Sequence, residues 1–176
     1  MTGRGAAGPP RLVVVGPPGA GKSTVGSVLA QRWGVRFRDT AADIEQQAGK
    51  PISEIFVDDG EPAFRQVETA VVAAALESHA GVLALGGGAV TDSGTRAALR
   101  GHRVAFLDVG LADAASRVGL GVTRPLLLGN VRTQLKNLLA QRRPLYREVA
   151  TVSVSTDGCS VDEVADAVEA ALKEVS

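Results

Sequence analysis

Short apolar runs recur along the chain at Leu12 to Val15, Val35 to Arg38, Val82 to Leu85, Val104 to Leu107 and Val152 to Val154, most of them bounded by Gly, Pro or Asp. Runs of this length with such punctuation predict buried strands. Between them the apolar positions return about every 3.6 residues. That period predicts helices over Lys22 to Trp33, Ala42 to Ala48, Glu61 to Ser78, Ser93 to Leu99, Ala112 to Val118, Val131 to Val149 and Val161 to Glu174. The alternation of strand and helix predicts an α/β fold, a five-stranded parallel sheet covered by helices on both faces. No segment repeats another.

Composition narrows the picture. A chain of 176 residues fits one domain, and 45% hydrophobic against 22% charged content is that of a packed core with a solvated surface. Residues 1–10, rich in Gly, Ala and Pro, read as a disordered tail, residues 11–176 as a single domain, and Gly119 to Asn130 as a mobile loop within it. Nineteen basic and nineteen acidic residues give a formal net charge of zero. This balance argues against a surface built for long-range attraction to nucleic acid or to an anionic membrane. Fifteen of the basic residues are Arg, the side chain suited to planar, bidentate recognition of phosphate and carboxylate. Cys159 is the single cysteine, so no internal disulfide is expected. No apolar run approaches the roughly 20 residues of a membrane span, and Met1 to Pro10 lacks an apolar signal core. The reading is a cytoplasmic protein.

Candidate chemistry begins directly after the first strand, where Gly16 to Ser23 read Gly-Pro-Pro-Gly-Ala-Gly-Lys-Ser. This is the spacing of a phosphate-binding P-loop, in which backbone N–H groups face inward around an anion and a helix N-terminus points at the same place. It predicts binding of a nucleoside triphosphate, with Lys22 on the β- and γ-phosphates and Ser23 on Mg²⁺. A strand-to-helix turn without a ligand is the competing reading. A second glycine cluster, Gly86-Gly87-Gly88, follows the strand at Val82 to Leu85, where ligand-facing loops leave an open α/β sheet. It either approaches a substrate or serves only as a turn. The usual second acidic motif of nucleotide-binding folds is absent at the end of this strand, and Asp39, at the end of the second strand, is the better candidate for a contact to Mg²⁺ through water. Arg65, Arg124 and Arg142 are each placed to reach an anion or merely to be solvated. Arg124, on the loop, suits closure over transferring phosphate.

The P-loop, Asp39-Thr40, Gly49-Lys50-Pro51-Ile52 with Ile55-Phe56, Gly60-Glu61, Phe64-Arg65, Glu68, Gly86-Gly87-Gly88, Arg124-Pro125-Leu126 and Arg142 to Tyr146 together resemble the shikimate kinase family. The resemblance covers nearly the whole chain after Pro10. It implies a fold of the nucleoside-monophosphate-kinase type, with a substrate-binding segment at about 40–68 and a lid at about 119–130. The implied activity is transfer of the γ-phosphoryl group of ATP, with Mg²⁺, to the 3-hydroxyl of shikimate in aromatic amino-acid biosynthesis, by a monomer. Position by position, it places Gly19, Ala20, Gly21, Lys22, Ser23 and Thr24 at the ATP phosphates and Mg²⁺. Arg65 and Arg142 take the shikimate carboxylate and Gly86 to Gly88 its hydroxyls. Ile52, Phe56 and Phe64 form an apolar wall, and Glu68 orients Arg65. Arg124 becomes the lid arginine at the γ-phosphate, and Arg117 the residue against adenine.

One position departs from the pattern. Family members resemble Asp-Ser/Thr-Asp where this chain reads Asp39-Thr40-Ala41. The missing carboxylate is the family's acceptor-binding residue and candidate general base, which would orient the attacking hydroxyl and take its proton. Asp43 is no direct replacement, because two helical positions rotate a side chain by roughly 200°. The expectation is low turnover with ATP binding intact and shikimate binding weakened. Two other readings are a nucleotide-binding module without catalysis and a P-loop kinase of another small polyol acid. Trp33, His79, His102 and Cys159 carry no expected chemistry.

Overall fold

The computed structural model describes residues 8–119 and 128–175. In chain order these form β1 (Leu12–Val15), α1 (Lys22–Trp33), β2 (Phe37–Asp39), α2 (Thr40–Ala48), α3 (Ile52–Asp59), α4 (Glu61–Ser78) and β3 (Val82–Ala84). A 3₁₀ turn (Ala89–Thr91), α5 (Ser93–Leu99), β4 (Val104–Asp108), α6 (Leu111–Gly119), α7 (Leu128–Val149), β5 (Val152–Ser155) and α8 (Val161–Glu174) complete the order. The strands make one parallel sheet in the order β2-β3-β1-β4-β5. This is the α/β architecture expected from the alternation.

Burial separates the two faces of the sheet. On one, Leu12, Val14, Ala84 and Leu107 pack against Val25 and Leu29 of α1 and Val164 and Val168 of α8. On the other, Val13, Val15, Leu83 and Phe106 meet Val72 and Leu76 of α4, Leu99 of α5 and Tyr146 of α7. A satellite cluster of Ile44, Ile55, Phe64 and Val71, with Ile52 and Phe56 at its margin, joins α2, α3 and α4 beside the sheet.

Local chemistry explains where the elements differ from the periodic pattern. Strand β2 begins at Phe37, not Val35, because Val35 belongs to the end of α1. There Gly34 is left-handed, its N–H reaches the Gln31 carbonyl, and the Val35 N–H reaches that of Ala30 at 3.0 Å, the paired bonds of a Schellman cap. Helix α2 starts two residues before Ala42, since the Asp39 side chain accepts the Ala41 N–H at 2.9 Å and caps it. Helix α3 was not expected. It is two turns long, bracketed by Pro51 and Gly60, and ends in Asp58 and Asp59, where the helix dipole disfavours negative charge. Its formation depends on packing Ile55 into the satellite cluster. Pro10, placed by composition in a tail, is buried, whereas residues 1–7 lie outside those described. The loop expected over Gly119 to Asn130 falls mostly outside them too, but Gly119 ends α6 and α7 already starts at Leu128.

The narrowest backbone approach is where β3 enters the sheet. A Cβ at Gly81 would lie 1.9 Å from the Arg36 carbonyl oxygen, which itself accepts the Val82 N–H at 2.9 Å. Gly81→Ala must therefore push β2 from β3. The expected cost is about 2–3 kcal/mol, read in urea denaturation as a lowered midpoint at unchanged slope; an unchanged midpoint would contradict this packing.

Candidate active site

The P-loop after β1, Asp39 at the end of β2 and Gly86 to Gly88 after β3 sit at the carboxyl edge of the sheet, the edge at which open α/β sheets bind ligands. Strand β1 ends at Val15 and delivers the chain into the glycine loop. Gly19 and Gly21 have φ of 83° and 84°, a left-handed conformation that a residue with a Cβ avoids. A Cβ at Gly21 would meet nothing within 4 Å, so bare backbone faces open space. Helix α1 starts at Lys22 with no side-chain cap, which leaves its first N–H groups for an anion. Ala20 is buried inside the loop, and Thr24 is exposed on the first turn of α1. The loop therefore fits a polyphosphate.

Lys22 bends back along the loop and donates from Nζ to the Pro17 carbonyl at 3.0 Å. Burial pushes its pKa down to about 8, against the pull of Asp39 and with the help of the Arg142 charge. The Ser23 hydroxyl donates to Asp39 Oδ2, while Asp39 Oδ1 accepts the Ala41 N–H. One hydroxyl and one carboxylate are hard oxygen donors that suit Mg²⁺. Among the described residues no group of three or more His, Cys, Asp or Glu gathers to hold a metal, so such an ion would draw its other ligands from phosphate and water, as Mg²⁺ commonly does. Arg117 on α6 donates to the Gly19 carbonyl at 2.7 Å. It thus touches the loop backbone at the nucleotide end of the site.

Across the sheet edge, α4 supplies the cation of a second subsite. Arg65 is half-buried, and its Nη1 donates to Glu68 Oε1 at 2.6 Å, with Glu61 more distant at 3.4 Å. Glu68 is 4% exposed, so Arg65 and Glu68 form a largely desolvated pair in which each neutralises the other. The Arg65 guanidinium lies 5.2 Å from the Phe64 ring centroid and 5.8 Å from that of Phe56, and the two rings are 4.8 Å apart. Ile52 packs at the edge of the same cluster. Gly88 completes the pocket around the guanidinium, since a Cβ there would come within 2.3 Å of Arg65 Nη2. The Gly86 to Gly88 turn and Arg65 are thereby brought together as the sequence suggested.

Arg142 is half-buried on α7, and its charge acts on both Lys22 and Tyr146. Two residues escaped the sequence reading as site components. Thr40, fully buried, accepts the Gly86 N–H at 3.3 Å and donates to the Ala84 carbonyl at 3.4 Å. Tyr146 donates to the Gly87 carbonyl at 2.5 Å. Both stood inside motifs already singled out, but their partners lie far away in sequence. Ala41 is the second residue of α2, half-buried, and offers the site only a methyl group. Asp43 is ion-paired with Arg38 and is thereby committed elsewhere. Arg124 lies outside the described residues.

Comparison with known proteins agrees with this geometry. A family model described as shikimate kinase matches residues 18–173. A shikimate kinase of Salinispora arenicola is 59% identical over 163 residues, which cover 93% of this chain and 98% of that one. Another, of Thermobifida fusca, is 57% identical over 157 residues, or 89% of this chain and 91% of its relative. A solved shikimate kinase from Acinetobacter baumannii in complex with shikimate superposes with a TM-score of 0.87 at 36% identity, covering 94% of each chain.

The depressed Lys22 pKa has a measurable consequence. Phosphate binding favours the ammonium form, so nucleotide affinity should fall as pH rises through about 8, and binding above that pH should take up a proton. Calorimetry of an ATP analogue at about pH 8.5 should give an enthalpy that depends on the ionisation enthalpy of the buffer, with little dependence at about pH 6.5. Lys22→Arg should abolish the proton uptake, because a guanidinium stays charged throughout.

Proposed function

This chain belongs to the shikimate kinase family, and from that premise we propose how its residues divide the work of phosphorylating shikimate with ATP. The observation that carries the reading is the proximity of a phosphate loop with Lys22, on which the Arg142 charge acts, to an Arg65–Glu68 pair set against the Gly86–Gly88 turn. The first is a donor site for the phosphoryl group. The second is a site for a small carboxylate with hydroxyls.

On the donor side, Gly19 to Thr24 hold the ATP phosphates, and Lys22 places its charge where negative charge is shared between the β- and γ-phosphates. Ser23 and Asp39, whose oxygens are paired here, would hold Mg²⁺, Asp39 through water. When bound, Mg²⁺ neutralises phosphate charge and fixes phosphate orientation. Arg117, bonded to the Gly19 carbonyl, is the side chain assigned here to adenine. Arg124, outside the described residues, supplies in this reading a further positive charge to the transferring group.

On the acceptor side, Arg65 and Arg142 take the carboxylate, a task for which the planar guanidinium fork is suited. Glu68 holds Arg65 in place, the Gly86 to Gly88 backbone takes the hydroxyls, and Ile52, Phe56 and Phe64 exclude water from one face of the ring. The reacting hydroxyl is the one at C3. Orientation by these contacts and charge stabilisation by Lys22 and Arg124 account for most of what phosphoryl transfer requires. In this reading residues 11–176 form one domain and the protein acts as a monomer. The free Cys159 and the need for ATP fit the cytoplasm.

Ala41 removes the group that would orient and deprotonate the attacking hydroxyl, and nothing among the described residues stands in for it, since Asp43 is bound to Arg38 and Asp39 to Ser23 and its own helix. Turnover is therefore low while both ligands bind. The same residue favours a second reading, a module that binds nucleotide without catalysis. Ala41→Asp separates the two: it should raise turnover by about 10²- to 10⁴-fold and tighten shikimate binding in calorimetry with Mg²⁺ and a non-hydrolysable ATP analogue. Nucleotide binding without shikimate binding in either protein would instead favour the module, and rapid turnover by the parent chain would refute the role assigned to residue 41.

A further inference from the structure

Tyr146 has no part in the roles above, yet it heads the largest side chains that are almost completely buried, at 1% exposure. Its ring stacks on Phe106 of β4 at 5.1 Å between centroids. Its hydroxyl leaves that apolar setting and donates to the Gly87 carbonyl at 2.5 Å. A phenol carries one proton, so once that proton goes to Gly87 the remaining lone pairs can only accept. The cations that face them are Arg142, one turn earlier on α7, and Arg65 on α4, both of which act on the phenol. Burial outweighs their influence and pushes the phenol up to about 12, so it keeps its proton at any physiological pH.

The backbone between Arg142 and Tyr146 is weakened at one point. Pro144 lies inside α7, and a proline there removes one rung of the helical ladder. Arg143 ties this turn to the end of β4 through Asp108 at 3.3 Å and the Val109 carbonyl at 3.4 Å. The tie to the loop after β3 is Tyr146. Gly88, in that same loop, is in turn fitted against the Arg65 guanidinium, so the turn is held by Arg65 at one residue and by α7 at the next.

We propose that Tyr146 is a positioning residue for the acceptor: its hydroxyl locks the Gly86–Gly88 turn to α7, so that the turn and the Arg142 guanidinium hold each other in the arrangement that receives shikimate. The proposal rests on the reading of Arg142 and this turn as parts of the acceptor site. Tyr146→Phe removes the hydroxyl and keeps the ring against Phe106. With Mg²⁺ and a non-hydrolysable ATP analogue present, it should weaken shikimate binding about tenfold and leave nucleotide affinity within about twofold of the parent. In a double-mutant cycle with Arg142→Lys, the combined loss should fall short of the product of the single losses, since residues that act through one another are not additive. Shikimate affinity within about twofold of the parent, or equal losses for both ligands with multiplicative behaviour in the cycle, would overturn the proposal and leave Tyr146 a packing residue. A parent chain that binds nucleotide but no shikimate would overturn the acceptor reading itself, and this inference with it.

Discussion

Strand β1 pairs with β3 on one side and β4 on the other, and all four of its residues are buried. Buried backbone must keep its hydrogen bonds, so both ladders have to be complete, as in the bonds from Val13 N–H to the Arg103 carbonyl and from Leu85 N–H to the Val14 carbonyl. Because Leu12 to Val15 are apolar on both faces, alternation cannot choose the register; the ladders and the glycine-bearing ends do. That register sets the level at which three loops leave the sheet. The P-loop comes after β1, Asp39 ends β2, and Gly86 lies just beyond β3. A slip of one residue would move Lys22 relative to the Gly86–Gly88 turn by a full strand step, about 3.3 Å.

Charge is distributed unevenly over that edge. Lys22, Arg65 and Arg142 converge there, and the carboxylates that face them, Glu68 and Asp39, already have structural partners. The Arg65–Glu68 pair is close to neutral as a unit. The excess positive charge therefore falls on Lys22 and Arg142, each of which raises the potential at the other. In a poorly solvated spot such an excess costs the fold some stability, and anions with fixed geometry relieve it. This is preorganisation in electrostatic form: the donors are oriented before a ligand arrives.

Much of this was legible in the chain. Helices α1, α4, α5 and α8 fall on their expected residues because each has a strong start or stop signal, such as Gly21 and Gly34 around α1 or the Ser160–Glu163 capping box of α8. Local signals fail where structure is imposed from a distance. Helix α3 depends on the cluster around Ile55, and β2 is shortened by a helix cap that consumes Val35. The P-loop could be read because its function lies in a contiguous backbone. The bonds from Tyr146 to Gly87 and from Gly86 to Thr40 span 59 and 46 positions, and no local pattern encodes them.

The start of α2 shows why the side chain at residue 41 can change without trace in the fold. Three consecutive residues meet there with separate duties. Asp39 caps the helix and receives Ser23, and Thr40 ties β3 to the glycine turn. Residue 41 gives the structure only its N–H, which any amino acid except proline provides. A carboxylate there would gain about 0.3–1 kcal/mol from the helix dipole, and alanine recovers a comparable amount through its higher helix propensity. Stability is thus nearly indifferent to the exchange. Asp39 and Thr40 are held by bonds that the fold depends on, whereas the side chain at 41 makes none, and this division lets the start of α2 keep its geometry whatever side chain stands there.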